Sequence, residues 1–492
     1  MSANLILSIA SAGMALAFWA YSGTGRAIAC AFGLLSLWQL RCAMRRRPPA
    51  GVVLRLGGFT WDLFNFCRGW LIVGETGSGK TLSCINTMLW QVSKNCPKWG
   101  GLCIDDKGLY WETLSTMMRH LGRSDDLILL QVRPEGASAD WRPPHTFNFL
   151  GYDRLPDSAK AKNVCDVATS LGQGGDQPFF RVQAEFQMEF AFRALRVAGF
   201  PVTLDNAQEL LASDEALDGL FETLEEERTP EAYALYDHYL AHIANQPPEQ
   251  FGGVRGTLAN RLKHFSYSDI AEVFCPVNGS SFDFGDIDRG KIICVSIPQR
   301  YKVERRYIHT LLKLTFYSHV LLRFDRPAEE RAKDNLLILW ADEAQKIVTA
   351  NDDGTSDYNV VDVIREARAT VVASTQSYTS LIPPMGDEKK AKVFIANMAN
   401  RVTFKAADED TARIAADTLG KRKVMKRTYG YSGGKRTTSF TDDYKYFFEP
   451  HELRRLRKFQ AIVQHCEAGF RKVRLQPTGA DGKIPAWHRN PL

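Results

Sequence analysis

The feature that most constrains the fold of this chain is the stretch LIVGETGSGKT at Leu71–Thr81, where an apolar run enters a glycine-rich turn that ends in Lys-Thr. The apolar run at Trp70–Val73 predicts a buried strand, and the segment TLSCINTMLWQV after the turn predicts a helix. One face of that helix is expected to carry the apolar residues Leu82, Ile85, Leu89 and Val92. A strand, a loop and a helix in this order are the context that a phosphate-binding loop requires.

The loop matches the pattern G-x-x-x-x-G-K-T over eight consecutive residues, which are Gly74, Glu75, Thr76, Gly77, Ser78, Gly79, Lys80 and Thr81. Its backbone N–H groups can surround a phosphate chain at a helix N-terminus, because glycine lets the backbone approach closely. Lys80 is placed to reach the β and γ phosphates, and the Thr81 hydroxyl is placed to bind Mg²⁺. The sequence therefore predicts a nucleoside triphosphate site, with ATP and Mg²⁺ as the expected ligands.

Two later strands end in polar residues that can complete such a site. LLILWADE ends in Asp342, which is placed to hold Mg²⁺ through water, and in Glu343, which is placed to polarise the attacking water. TVVASTQS ends in Gln376, whose amide can sense the γ-phosphate or position that water. Eleven residues earlier, Arg365 is a candidate arginine finger for a neighbouring subunit, and Arg368 is its rival.

The first fifty residues predict a membrane anchor. Two apolar segments, Leu5–Tyr21 and Ala27–Leu40, are separated by SGTGR, and the second is followed by the arginine-rich sequence RCAMRRRPP. One span needs about 20 residues, and an arginine cluster after a span is expected to stay in the cytoplasm. We therefore expect a two-helix transmembrane hairpin within residues 1–47, with the N-terminus and the Lys80 site in the cytosol. A cleaved signal peptide and a single span with a second membrane-surface segment are the alternatives.

The remaining pattern predicts an α/β fold, because apolar strand-like runs alternate with helical segments. The strand-bearing segments after the phosphate loop lie at 100–114, 126–132, 290–297 and 335–347. Residues 153–275 show helical spacing without strong strands, so we expect an all-α insertion there. The nucleotide-binding domain is then expected to comprise residues 48–152 and 276–492.

Charge is unevenly distributed along the chain, although the formal net charge is only +6. Asp205–Glu231 contains ten acidic residues and one basic residue, whereas Lys421–Lys458 contains twelve basic and four acidic residues. Such blocks favour two contact surfaces, or two solvated faces. Within the basic block, the Gly/Ser/Thr-rich segment 428–443 predicts a mobile loop. The ten cysteines include no C-x-x-C pair, so the sequence indicates neither a zinc site nor a disulfide framework.

The order of these motifs resembles the type IV secretion coupling proteins, which are FtsK/HerA-like hexameric translocases. Most of the chain to about residue 475 takes part, through the hairpin, GETGSGKT, IDDKG, FNFL, the helical insert, GKIICVSIP, LLILWADEA, REARATVVASTQS, IANMANRVTF and FFEPHELRRL. The hairpin, the insert and the spacing from Arg365 to Gln376 carry the resemblance, since the loop and the Asp-Glu strand are shared by many ATPases. One element departs, because Asp105-Asp106-Lys107-Gly108 stands where the family usually has Asp-Pro-Lys-Gly.

The resemblance implies a RecA-like P-loop ATPase domain with an all-α insertion, anchored as a multi-pass protein in the bacterial inner membrane. It implies a homo-hexamer with ATP at the subunit interfaces and the substrate near a central pore. The implied partners are DNA, expected to be single-stranded and delivered with a relaxase complex, and components of a type IV secretion channel. The residues that match the family's functional positions are Lys80 and Thr81, Asp342 and Glu343, Gln376 and Arg365, with Arg68 as a further candidate for nucleotide contact.

Three functions are consistent with these motifs. A motor would use ATP hydrolysis to move DNA, or nucleoprotein or protein cargo, into a secretion channel. A receptor and gate would dock cargo through the acidic helical insert and use ATP to switch its assembly state. Another FtsK/HerA-like pump, or another membrane ATPase, would share the same catalytic residues.

Overall fold

The computed structural model of the protein describes residues 51–173, 178–352 and 354–476. The predicted membrane hairpin at residues 1–47 lies outside these ranges. Within them, no helix is both long enough and apolar enough to cross a membrane. The hairpin stays a prediction from the sequence.

Thirteen strands form within the described residues, and nine of them make one central sheet in the order β13-β12-β9-β3-β8-β7-β4-β6-β5. Their bounds are β1 Val52–Leu56, β2 Phe59–Asp62, β3 Trp70–Val73, β4 Gly100–Ile104, β5 Leu127–Gln131, β6 Ile292–Ser296, β7 Leu337–Ala341, β8 Ala369–Thr375, β9 Asn400–Thr403, β10 Lys421–Ser432, β11 Lys435–Tyr446, β12 Gln460–His465 and β13 Gly469–Arg474. The strands from β9 to β5 are parallel, and β12 and β13 are antiparallel at one side. The predicted parallel α/β sheet is confirmed.

The helices between these strands cover both faces of the sheet. Their bounds are α1 Leu63–Phe66, α2 Asn86–Asn95, α3 Tyr110–His120, α4 Asp157–Ala168, α5 Pro178–Val197, α6 Leu204–Ala212, α7 Asp214–Glu227, α8 Pro230–Tyr239, α9 Pro248–Leu262, α10 Ser268–Phe274, α11 Lys302–Leu321, α12 Ala328–Arg331, α13 Asp357–Val360, α14 Ile382–Met385, α15 Glu388–Asn397, α16 Glu409–Leu419 and α17 Pro450–Leu453. Strands covered on both faces are mostly apolar, which is why β7 is a continuous apolar run and β6 is apolar up to Ser296, with both strands buried at every position.

The sheet separates two hydrophobic cores. Along β6, Ile293 and Val295 belong to one core and Ile292 and Cys294 to the other, as the alternation of side chains along a strand requires. One core includes residues of α2, α3 and the β1–β2 hairpin. The other includes residues of α11 and of the helices α4 to α10.

The region between β5 and β6 is helical, and no strand is described at residues 153–275. Here α4 packs against both α5 and α11, so the helical region shares one continuous core with a face of the sheet. The division into residues 1–47, 48–152 with 276–492, and 153–275 stays a proposal.

Two local predictions are wrong. The segment 428–443 is not a mobile loop, because β10 pairs with β11 over twelve residues to form a long antiparallel hairpin. Gly433 and Gly434 connect the strands with φ angles of 58° and 77°, which is the backbone that a two-residue hairpin turn demands. Leu82 is exposed rather than part of the buried helix face, since Lys80–Ile85 forms a wider π-helical turn before α2 begins.

Candidate nucleotide-binding site

Four adjacent strands, β3, β8, β7 and β4, end at one edge of the central sheet, which we call the carboxyl edge. They lead directly into Gly74, Gln376, Asp342 and Asp105, respectively. Because the four strands are parallel, these residues meet at one place, where ligands bind to sheets of this kind. The structure therefore brings together most of the residues that the sequence singles out.

The phosphate loop at Gly74–Thr81 is held to the sheet through its backbone. Gly74 N–H donates to the Thr375 carbonyl (3.3 Å), and Glu75 N–H donates to the Lys405 carbonyl (2.8 Å). Gly79 has a φ of 104°, and a Cβ at this position would lie 2.4 Å from the Phe459 ring. Only glycine fits there, so the loop keeps its open curve and presents its N–H groups.

Lys80 lies inside the loop that it terminates. Its Nζ donates to the Gly74 carbonyl (2.5 Å) and to the Glu75 carbonyl (3.3 Å). Burial lowers the pKa of Lys80, although the carboxylates of Glu343 and Asp342 oppose this shift. The ammonium is thus held beside two acids at the mouth of the loop.

Thr81 and Asp342 bring two oxygen ligands side by side. The Thr81 hydroxyl donates to Asp342 Oδ2 (3.4 Å), across the gap between the loop and β7. Burial raises the pKa of Asp342, and the neighbouring carboxylates of Asp105 and Glu343 raise it further. A hydroxyl next to a buried carboxylate fits Mg²⁺, because this cation prefers oxygen ligands and offsets the buried negative charge.

Glu343 has a backbone that non-glycine residues seldom adopt, with a φ of 54°. Strain of this kind is concentrated at functional sites, where the surroundings hold the residue in place. Gln376 Nε2 donates to Glu343 Oε2 (3.1 Å), and Gln345 Nε2 donates to the same oxygen. Two amides from different loops therefore fix the direction of one carboxylate.

The departure at Asp105-Asp106-Lys107-Gly108 has a structural explanation. Asp105 is buried and accepts hydrogen bonds from the N–H groups of Lys107, Leu109 and Tyr110, so it stabilises the turn into α3. Asp106 accepts a hydrogen bond from Nη2 of the buried Arg305 on α11 (3.2 Å). An ion pair to α11 therefore fixes this loop where the family has a rigid proline.

The candidate arginines lie at the opposite edge of the sheet, which we call the amino edge. Arg365 and Arg368 precede β8 and line a cavity of about 480 Å³. Arg368 Nη1 donates to the Asp334 carbonyl (2.8 Å). Arg68 precedes β3 and forms an ion pair with Glu467 (3.0 Å). The length of β8, about 23 Å at ~3.3 Å per residue, separates Arg365 from the carboxyl edge of its own chain.

Phe459 contacts the phosphate loop, and no sequence motif predicts this contact. Phe459 N–H donates to the Ser78 carbonyl (2.9 Å), and its φ is 68°. Lys405 is a second missed neighbour, because its Nζ forms an ion pair with Glu75 (2.7 Å). No local sequence pattern predicts either contact. Lys405 follows β9 and Phe459 precedes β12, and both residues reach the loop only because these strands join β3 in the central sheet.

A family model and several solved structures are similar to this chain. Residues 337–458 match the family described as "TraM recognition site of TraD and TraG". The bacterial conjugative coupling protein TrwBdeltaN70, in its unbound monoclinic form, is similar with 17% identity, 91% of this chain and 93% of that chain covered, and a TM-score of 0.61. No curated protein sequence matches the chain.

Two further solved structures, both of the coupling protein TrwB, contain nucleotide. Plasmid coupling protein TrwB in complex with the non-hydrolysable ATP analogue ADPNP shares 16% identity, over 91% of this chain and 94% of that chain, with a TM-score of 0.59. TrwB in complex with ADP and Mg²⁺ shares 16% identity, over 89% and 92%, with a TM-score of 0.57. At these identities the likeness shows the fold. Together with the family match, it confirms the resemblance of this chain to the type IV coupling proteins of the FtsK/HerA-type ATPases.

Proposed function

We propose that this protein is an ATPase that couples ATP hydrolysis to the recruitment and translocation of DNA, or of nucleoprotein cargo, into a type IV secretion channel. The observation that carries the proposal is the meeting of Lys80, Thr81, Asp342, Glu343 and Gln376 at the carboxyl edge of one sheet. The TrwB complexes with an ATP analogue and with ADP and Mg²⁺ support nucleotide use in a protein of this fold.

Each residue at the carboxyl edge has a distinct role in this proposal. A phosphate that enters the loop replaces the Gly74 and Glu75 carbonyls as the partner of the Lys80 ammonium. Thr81 and Asp342 would hold Mg²⁺, which supplies positive charge to the phosphates. Glu343 accepts a proton from the attacking water, and Gln376 keeps the carboxylate directed at it.

The amino edge contributes to catalysis in a neighbouring copy. Arg365 is exposed and cannot reach the phosphate loop of its own chain. In a homo-hexamer it would stabilise the negative charge that develops on the γ-phosphate of the adjacent subunit. Arg68 lies at this same edge, so a nucleotide contact from it would also be made between subunits.

The proposed cargo and cellular position are taken from the coupling proteins that this chain resembles. The family match includes a described partner-recognition site, which supports docking of a DNA-processing complex, such as a relaxase complex, and of channel components. The apolar segments within residues 1–47 would anchor the protein in the bacterial inner membrane as a two-span hairpin, with the nucleotide site in the cytoplasm.

The first experiment is ATP turnover by the full chain, with and without single- and double-stranded DNA. We expect several-fold stimulation by DNA and complete loss of turnover in Lys80→Ala. Lys94→Ala, which removes an exposed lysine from the following helix, is the matched control and keeps wild-type turnover. If neither single- nor double-stranded DNA changes the rate of ATP turnover, the result would favour the receptor-and-gate function, in which ATP serves assembly alone.

A further inference from the structure

The hairpin of β10 and β11, which we call the basic ribbon (residues 421–446), is a two-stranded sheet separate from the central sheet. Twelve residues per strand give it a length of about 40 Å. Its base is fixed to the body by a hydrogen bond from Tyr446 Oη to Asp417 Oδ1 (2.7 Å) and by edge contact of the Phe447 and Phe470 rings. A long hairpin that is anchored at its base is positioned to bind a partner molecule rather than to pack on its own chain.

The basic ribbon concentrates the positive charge of the protein. It contains eight lysines and arginines against two aspartates, a net charge of +6, which equals the formal net charge of all 492 residues. The remainder of the chain therefore has a formal net charge of zero. A surface of this kind attracts a polyanion and repels a second copy of itself.

The register of the ribbon sorts its side chains onto two faces, because residues directly opposite each other in an antiparallel pair project to the same side. One face, which we call the aromatic face, contains the pairs Lys421–Tyr446, Lys423–Tyr444, Met425–Asp442, Arg427–Phe440 and Tyr429–Thr438. The other face contains the polar pairs Arg422–Lys445, Lys426–Thr441 and Thr428–Ser439. Cations lie on both faces, whereas the rings lie on one.

The rings of the aromatic face are exposed to solvent. Phe440 is 59% exposed and Tyr444 65%, and the apolar side chain of Met425 between them is 71% exposed. The Arg427 guanidinium lies over the rings of Tyr429 (4.9 Å) and Phe440 (5.6 Å), and the Lys421 ammonium lies over Tyr446 (4.5 Å). An apolar strip that is exposed and interleaved with cations is typical of an interaction site rather than of a solvated surface.

We propose that the aromatic face binds single-stranded nucleic acid, with unpaired bases stacked on its rings and the lysines and arginines on the phosphates. Stacking platforms between cations are how proteins bind single strands without sequence preference. A duplex keeps its bases stacked on one another, so it can use only the cations. The carboxylates of an acidic peptide would pair with the cations and leave the rings without a run of aromatic bases to stack on. The inference rests on the proposed function in that DNA is the expected cargo, and it assigns the contact to a defined surface.

The test is fluorescence anisotropy with a labelled oligo-dT of 30 nucleotides and with its duplex, using the full chain at several salt concentrations. Phe440→Ala/Tyr444→Ala should bind oligo-dT at least about tenfold more weakly with an unchanged salt slope, because two stacking surfaces are lost and no charge is removed. Ser439→Ala/Thr441→Ala, on the other face of the same strand, is the matched control and should bind as the wild type does. Lys421→Gln/Lys423→Gln, which removes two cations of the aromatic face, should instead lower the salt slope by about 1.4 for oligo-dT and about 1.8 for the duplex.

Three results would overturn the inference. The first is equal binding of oligo-dT by the aromatic variant and the wild type, with unchanged thermal unfolding in both. The second is a parallel loss of oligo-dT and duplex, which would mean that the rings contact no bases. The third is displacement of oligo-dT by polyglutamate as effectively as by unlabelled oligo-dT, which would indicate an acidic protein as the partner.

Oligo-dT binding and ATP turnover of the wild-type protein together separate this inference from the proposed function. A wild-type protein that hydrolyses ATP but binds no oligo-dT overturns the assignment of the ribbon and leaves the ATPase intact. A wild-type protein that binds oligo-dT through the aromatic face, with ATP turnover indifferent to it, supports the ribbon and removes the coupling of DNA to hydrolysis.

Discussion

The two edges of the central sheet differ in how complete they are. At the carboxyl edge, one chain supplies a phosphate loop, an ammonium that donates to a loop carbonyl, a hydroxyl that donates to Asp342, and the adjacent carboxylate of Glu343. At the amino edge, Arg365 and Arg368 border a cavity of about 480 Å³, and the phosphate loop is about one strand length away. The difference teaches that the arginines of one chain lie too far from its own phosphate loop to contact a nucleotide there, so the proposed arginine finger would have to act between adjacent copies.

Among the variants that test this comparison of the two edges, Arg365→Ala at the amino edge has the largest expected effect. We expect ATP turnover to fall by about 10³-fold, which is the lower end of the effect of an arginine finger. Steady-state turnover of the full chain measures it. Mixing Arg365→Ala protein with Lys80→Ala protein should restore part of the activity, because some interfaces then combine an intact loop with an intact arginine.

Arg368→Ala is the control for this prediction, since Arg368 lines the same cavity and already donates to the Asp334 carbonyl. It should keep turnover within a few-fold of wild type. If Arg368→Ala lost ATP turnover and Arg365→Ala kept it, Arg368 rather than Arg365 would be assigned as the arginine finger. Mixtures that show no recovery would argue that the two edges do not cooperate between copies.

At the carboxyl edge, Glu343→Gln should lower turnover by about 10²-fold or more while nucleotide binding changes little, because the amide cannot accept a proton from water. Turnover and equilibrium binding of a fluorescent ATP analogue measure the two quantities separately. Glu366→Gln, at the amino edge, is the matched control and should be silent. A loss of affinity equal to the loss of turnover would assign Glu343 to binding.

Sequence alone predicted the carboxyl edge better than the amino edge, for a physical reason. Strands buried on both faces are rich in apolar residues, so the sequence marks the ends of β3, β7 and β8 and the polar residues that follow them. The contact of Phe459 with the loop joins residues almost four hundred positions apart, which no local pattern encodes. Segment 428–443 of the basic ribbon has a polar composition that predicts a loop, although its Gly-Gly pair is also a signal for a hairpin turn.

A smaller effect is expected for Gln376→Ala, which removes one of the two amides that orient Glu343. We expect kcat to fall about tenfold with KM unchanged, because a misdirected base impairs the transition state and not substrate binding. Gln345→Ala provides the comparison at the other amide. An increased KM at constant kcat would show instead that Gln376 contacts the γ-phosphate in the ground state.

The smallest expected effect concerns the loop that holds Asp105 in place at the carboxyl edge. Asp106→Asn should cost about 1–2 kcal/mol of folding free energy, because it leaves the charge of buried Arg305 without its carboxylate. Within the described residues, Nε and Nη1 of Arg305 already have no hydrogen-bond partner, so the ion pair is its main compensation. Asp106 is itself partly exposed, and water limits the loss.

The measurement is the apparent midpoint of thermal unfolding, which should fall by about 1–2 °C in Asp106→Asn and stay constant in the exposed control Asp140→Asn. Arg305→Met/Asp106→Asn should recover stability, since removing both charges costs less than leaving one buried and unpaired. A single variant as stable as the wild type would mean that solvent already compensates Arg305. The loop would then owe its position to the three N–H groups that bind Asp105, and the carboxyl edge would be held by its own strands without help from α11.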